Sequence, residues 1–385
     1  MPQEPLGWRR TAVLLSGAWR EALRVSAPFV ETEHLFLGVL ASGGPAARIA
    51  AHHGLSLEAA RRGAAVRVNR QLRAVGRDVA REGVVPRAPL GRLDRGGAST
   101  VPLASATEGM LPERGTPQSE VAWTLDLLQE PAGAVSALVA AAEVDVDALR
   151  TALRAAEHEA APLPGALLDL TPGPCTVPLD ALVPPDGIRA SGSMAARAGR
   201  LTALGAEWFV SAPQQELLNL LRDPATIRAV TAQPTEAEID DAFGVVTTVR
   251  ERGTGAAARR ITRQLFPAES APSSLPEGVR RIRWAEIHDE HQVGTGGTDE
   301  RDYAGALAGA FEFTLVPDAV EAPRRPVDYP GHEPLRGEGT RVRLVRVRRT
   351  LRRRDALSSR ATRWPQAWAV AQHLQSLAGL AATRL

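Results

Sequence analysis

The chain of 385 residues contains no lysine: all 46 of its Lys+Arg residues are arginine. Without lysine there is no Schiff-base nucleophile and no phosphate loop of the G-x-x-x-x-G-K-[ST] type, so lysine-dependent covalent chemistry and P-loop ATPase activity are excluded. Cysteine occurs once, at Cys175, and one thiol makes neither an internal disulfide nor a cysteine-based zinc site. That thiol lies in TPGPCTVPL with no histidine beside it, and an activated thiolate needs a positioned base, so it is assigned no catalytic role. Aromatic residues are only 4% of the chain. No apolar run reaches the roughly 18 residues of a membrane helix, and the opening MPQEPLGWRR has no apolar signal core. A cytoplasmic location without a membrane partner is therefore expected.

What is present is an ordinary globular composition, with 44% hydrophobic and 23% charged residues. The length suggests two domains. A net charge of +2 does not by itself point to nucleic acid, and none is expected as a partner. The stretch FVETEHLFLGVL, residues 29–40, ends in an apolar run too short for periodicity to class. Its flanks class it: Thr32 is a candidate N-cap, Glu33 puts negative charge in the first turn, and Gly43-Gly44-Pro45 ends the element. A short buried helix is expected. The pattern recurs 88 residues on, where Leu35–Leu40 aligns with Trp123–Leu128; one residue of slippage then aligns GLSLEAARR, from Gly54, with EVDVDALRT, from Glu143. Between the copies, residues 73–100 are rich in Arg, Gly and Pro and read as a loop.

VETEHLFLGVL, the Ala-rich PAARIAAHHGLSLEAARR and the later LDLLQEPAGAVSALVAAAEVDVDALRTAL together resemble the Clp N-terminal domain, the all-helical double repeat at the front of Clp-type unfoldases. The resemblance covers about residues 11–156 and implies binding of adaptors or substrate polypeptides, with Clp-type protease machinery among the partners and a role in protein quality control. In some members the Glu of each Thr-Glu-His segment helps hold a phosphorylated arginine. Glu33 matches the first; the 88-residue offset places Val121 at the second, with Glu120 one position earlier. The resemblance thus makes Thr32, Glu33, His34 and Glu120 candidate peptide-binding residues. The residues themselves favour a plainer reading, in which Thr32 and Glu33 support a helix start and His34 is a surface or core histidine.

Residues 160–187 are dense in Pro and Gly and read as a semi-extended linker between two independent bodies. Beyond it, a strand at 201–210 leads to a helix after Pro213, then strand candidates in GVRRIRWAEIH, GAFEFTLVPD and GTRVRLVRVRRTL, and a long amphipathic helix from about Pro365. The order is α+β. FVSAPQQELLNLLRDP, RRIRWAEI, GTRVRLVRV and RWPQAWAVAQHLQSLAG resemble the START-like (SRPBCC) superfamily of polyketide cyclases and Hsp90-activator-like domains. That resemblance implies a helix-grip domain whose curved sheet wraps the long helix around a cavity for an apolar ligand, with Trp368, Ala371, Leu374 and Ala378 lining it. Residues 229–274 depart from it by reading as partly helical. The expected organisation is an all-α double repeat at 1–159, a linker at 160–190 and a START-like domain at 191–385.

The remaining polar clusters carry little chemistry. Strand alternation splits His288 and Glu290 from Asp289 and His291, which is poor spacing for one metal. His52 and His53 end a helix, where a cationic imidazole suits the dipole. Gly294–Asp302 reads as a hairpin loop. The arginine run Arg341–Asp355 reads as a solvated, edge-protecting face with no interleaved aromatics for base stacking. No catalytic residue, metal or cofactor is assigned. The sequence reads as a non-enzymatic interaction or adaptor protein with an apolar-ligand domain; the alternative is a small-molecule carrier or cyclase-like enzyme acting in that cavity.

Overall fold

The computed structural model describes residues 7–74, 101–112, 118–158, 200–231, 237–240, 246–252, 259–268, 275, 277–292, 306–318, 339–350 and 353–384. Cys175, the expected linker and the Gly294–Asp302 loop lie outside them.

The N-terminal half is helical: α1 (Trp8–Arg24), α2 (Thr32–Ala41), α3 (Pro45–His52), α4 (Leu57–Ala74), α5 (Ser105–Glu108), α6 (Glu120–Leu128), α7 (Ala134–Ala141) and α8 (Val146–His158). α2 and α6 start at residues 32 and 120, α3 and α7 at 45 and 134, α4 and α8 at 57 and 146, so an 88-residue offset grows by one slipped position. All ten residues of α2 are buried. A helix buried on every side sits at the centre of a bundle, and Leu35, Phe36, Leu37, Val39 and Leu40 lie in the helical core. The N-cap of α2 is Glu31, not Thr32, which is the first helical residue. His34 Nδ1 accepts the Glu31 N–H at 3.0 Å. His34 thus closes the N–H of the N-cap residue.

The C-terminal half runs β1 (Arg200–Val210), α9 (Gln214–Arg222), α10 (Pro224–Thr231), β2 (Ala237–Asp240), β3 (Val246–Arg252), β4 (Arg259–Ala268), β5 (Arg280–Gln292), β6 (Ala306–Asp318), β7 (Gly339–Thr350) and α11 (Arg353–Arg384). The seven strands form one antiparallel sheet in the order β1-β7-β6-β5-β4-β3-β2. One face carries Trp208, Trp284, Phe311, Phe313, Leu315, Val342 and Leu344 into a core shared with Val370, Leu374 and Leu377 of α11. A sheet holding a long terminal helix in this way, with two short helices after the first strand, is the helix-grip architecture.

Three expectations are corrected. Within 229–274 the sheet continues, through β2, β3 and β4, where local composition had suggested partial helix; cross-strand pairing overrides weak local propensity. α11 begins at Arg353, so Pro365 sits inside it rather than at its start. That position costs one backbone hydrogen bond within an otherwise long helix. β7 is an interior strand between β1 and β6, so its arginines do not guard an edge.

The halves are not independent bodies. Alternation along β1 points Trp208 into the grip core and Phe209 to the opposite face, where it joins the helical core. In return, Val13 of α1 joins the grip core. Trp208 Nε1 donates to Ala41 O at 3.1 Å, and the Phe209 N–H donates to Gly43 O at 2.9 Å, so edge strand β1 closes the last carbonyl of α2 and one in the turn after it. Gly43 has a left-handed φ of +56°, and a Cβ there would meet the Trp208 ring at 2.1 Å; both facts demand glycine.

The back of α11 completes the joint. The Gln375 carboxamide donates to Val13 O (2.8 Å) and Ser42 Oγ (3.0 Å) and accepts from Ser16 Oγ (2.9 Å). It sits over the crossing of α1 and α2, where a Cβ on Gly17 would meet Gly38 O at 2.9 Å and Gln375 Nε2 at 3.2 Å. Arg61 of α4 chelates Glu21 of α1 (2.6 and 3.0 Å) and donates to Gly379 O at 3.0 Å. Arg48 of α3 pairs with Asp318 at the end of β6 (2.6 and 3.1 Å). Ser211 Oγ accepts the N-terminal amide of Leu57 at 3.2 Å. At the helix crossing, a Cβ on Gly38 would meet Ala18 N at 2.5 Å and Leu14 O at 2.7 Å, backbone atoms that cannot swing aside. Gly38→Ala should therefore cost about 1–3 kcal/mol. The midpoint of urea unfolding measures it, and a neutral result would mean that the close crossing does not hold α1 to α2.

Candidate functional site

The candidate peptide-binding residues lie inside the bundle. Thr32, Glu33, His34 and Glu120 are all buried. Glu33 pairs with Arg67 of α4. Glu120 accepts from Arg10 Nε at 2.8 Å, while Arg10 Nη2 donates to Ser42 O at 2.9 Å. Each carboxylate therefore already holds a guanidinium of its own chain. Burial pushes the His34 imidazole down to about 4. Its role as acceptor for the Glu31 amide requires the same neutral form.

The helix-ending pair His52 and His53 is also displaced from expectation. Burial, then the Arg48 guanidinium, pushes His52 down to about 4, and burial lowers His53 as well. His52 is therefore neutral rather than the cationic cap that the sequence suggested. Glu21 shows the opposing balance. Burial alone would raise its carboxyl, but the guanidiniums of Arg61 and Arg24 outweigh it and hold the group below its ordinary value.

In the grip, Ala371, Leu374 and Ala378 lie in the core, and Trp368 is partly buried against it. The described side chains of the sheet's inner face are apolar at one level and charged at the next. Arg263 precedes Leu265 by two positions on β4, Glu286 follows Trp284 by two on β5, and Arg346 follows Leu344 by two on β7. Each therefore keeps the inward register of its apolar neighbour. Pairing brings them together: Leu265 stands opposite Glu286, Trp284 opposite Phe311, and Phe311 opposite Arg346. Arg263 Nε donates to Glu286 Oε1 at 2.8 Å, and Arg263 Nη1 donates to Thr231 O at 3.1 Å. Arg346 Nη2 lies 3.9 Å from the other Glu286 oxygen. Both guanidiniums stand over the Phe311 ring, Arg346 at 5.0 Å and Arg263 at 5.7 Å.

His373 of α11 faces this layer. Its ring meets Phe311 edge-on, with centroids 5.7 Å apart and planes at 70°. Nδ1 lies 2.7 Å from Val230 O. Burial first, then the charges of Arg346 and Arg263, push the imidazole down to about 3. Arg20 of α1 reaches the same helix from behind, donating to Gln372 O (3.2 Å) and Ser376 Oγ (2.7 Å). Sequence reading missed this cluster because it took strand charges as solvated. The available signal was register: each charge falls in phase with the inward apolar residues. Among the described residues no group of three or more His, Cys, Asp or Glu is placed to hold a metal ion. Nor is any helix among them long and apolar enough to cross a membrane.

The architecture defines a helix-grip domain fused to a helical bundle. No protein-family model matches the chain, and no curated protein matches it. Among solved structures, the aromatase/cyclase Zhui of a Streptomyces species is similar over 48% of this chain and 96% of its own, at 12% identity and a TM-score of 0.26. A Thermus thermophilus protein is similar over 47% and 98%, at 13% identity and 0.25. A Rhizobium loti protein is similar over 45% and 99%, at 13% identity and 0.23. These likenesses carry no functional argument, and the fold class rests on the topology above.

Three of the four depressed imidazoles among the described residues are lowered far enough to set a pH response. Their ordinary value is 6.5, and in the fold they titrate near 4 (His34, His52) and near 3 (His373). As pH falls below 6.5 the unfolded chain binds these protons first, so stability present above that pH is lost progressively on the way down. The melting temperature should fall between pH 7.5 and pH 5. His34→Gln keeps an acceptor at the capping position without titrating, so it should fall less. Equal losses in the two proteins would remove His34 from the account.

Proposed function

We propose that this protein is a ligand-responsive interaction protein: the grip binds an apolar small molecule, and the helical half presents the result to a protein partner. One observation carries the reading. α11 is shared: Val370, Leu374 and Leu377 face the grip core, while Gln375, through its carboxamide, and Gln372, Ser376 and Gly379, through oxygen acceptors, bond to α1, α2 or α4. A shift of this helix on ligand entry would reach the bundle without crossing a flexible joint. The helical half is the part that resembles the Clp N-terminal domain, and an adaptor or substrate polypeptide is its expected partner. A guanidinium-bearing peptide would have to displace Arg67 from Glu33 or Arg10 from Glu120.

The alternative, a carrier or cyclase-like enzyme, is favoured by a single feature: His373, a buried neutral imidazole near two guanidiniums, has a ring nitrogen without a hydrogen-bond partner among the described residues. Both readings need ligand in the grip. Titration with the neutral fluorophore N-phenyl-1-naphthylamine tests that requirement, read by energy transfer from buried Trp208 and Trp284. Saturable one-to-one binding with a raised melting temperature is expected. Absence of saturable binding would leave only the interaction module.

A further inference from the structure

The sheet has two edges, and the chain treats them differently. β2 is four residues long, its register with β3 shifts between Glu238 and Asp240, and two of its four residues are acidic. Shortness, a bulge and charge are the devices by which proteins keep an edge from pairing with another chain. β1 has none of them. It runs for eleven residues, its pairing with β7 is unbroken from Arg200 to Val210, and Leu201–Ala206 carries no charge.

One bond identifies the free side of β1. The Phe209 N–H points away from β7 to reach Gly43 O. Backbone groups alternate sides along a strand, so the N–H and C=O of Leu201, Ala203, Gly205 and Glu207 point the same way as those of Phe209. The helical half takes up the edge at Phe209. Among the described residues no strand pairs with the other four on that side. Gly205 is partly exposed and the Glu207 side chain is 30% exposed, so this length of the edge meets solvent.

We propose that the open length of β1 pairs antiparallel with β1 of a second copy of this chain, giving one continuous sheet across a two-fold axis at Ala203. The pairing is independent of whether the grip holds a ligand. The open length, Arg200–Glu207, has its centre between residues 203 and 204. An axis at Ala203 sets Leu201 opposite Gly205 and Thr202 opposite Leu204, all uncharged; an axis at Leu204 would set Leu201 opposite the Glu207 carboxylate. Antiparallel pairing also separates the helical halves. The two Phe209 positions fall twelve residues apart along the strands, about 40 Å, so neither Gly43 turn blocks the partner strand. Each copy uses up the open edge of the other, and the assembly closes at two.

Sedimentation equilibrium of the full chain over a concentration series is the test, joined to oxidative cross-linking in a Cys175→Ser background. The mass should rise with concentration to twice that of one chain. Ala203→Cys should then form an intermolecular disulfide, because a hydrogen-bonded antiparallel pair sets its Cα atoms about 5.5 Å apart, within disulfide range. Leu201→Cys should not, because an offset of four residues puts the two copies of that site about 13 Å apart. A chain that stays monomeric at every concentration overturns the proposal. A dimer that cross-links equally at both sites, or at neither, overturns it in favour of association through another surface. If Ala203→Cys does not fold, Leu201→Cys mixed with Gly205→Cys replaces it: this register sets 201 opposite 205, so a cross-link between the two is expected and its absence overturns the pairing.

Discussion

The carboxamide of Gln375 is the contact on which the arrangement of this protein depends. It is buried where α1, α2 and α11 meet, and it uses both ends: two donations, to Val13 O and Ser42 Oγ, and one acceptance, from Ser16 Oγ. Burying such a group without partners is costly, whereas a fully bonded one fixes a single geometry. The glycine crossing of α1 and α2 provides the space, and the exchange of Phe209 for Val13 between the two cores provides the apolar area. Removing any of these leaves the others under-supported.

The absence of lysine acquires a structural meaning at this joint. Arg61 binds Glu21 through two nitrogens and a helix carbonyl through a third; Arg48 grips both oxygens of Asp318; Arg10 divides its nitrogens between Glu120 and Ser42 O. A planar guanidinium can serve several acceptors in fixed directions, which a point-like ammonium cannot. Arginine also supplies the charges of the grip interior, where its flat face lies against Phe311.

Much of the architecture was legible because burial leaves periodic traces. The all-apolar run after Thr-Glu-His gave a central helix, the inward alternation of RIRWAEI and RVRLVRV gave sheet strands, and the three- and four-residue spacing after Trp364 gave the terminal helix. The start of that helix was misplaced because local rules treat Pro365 as a boundary, while a helix can cross a proline when what surrounds it supplies the support. What the second face of β1 meets was not legible: alternation says that Phe209 opposes Trp208, not that a helical core lies beyond. The candidate site was least legible of all. Arg263, Glu286, Arg346 and His373 come from three strands and a helix, and only strand pairing brings them together. The Thr-Glu-His segment drew attention as a binding motif, yet its side chains are buried in capping and ion pairing.

The central claim is that bundle and grip open as one unit because α11 belongs to both. Native-state hydrogen exchange across a denaturant series tests this most directly, comparing amides of α2 with those of β6 and β7. The account predicts that the slowest amides of both sets share one opening free energy and one denaturant dependence. Protection in α2 that survives after β6 and β7 have exchanged, or the reverse, would contradict it.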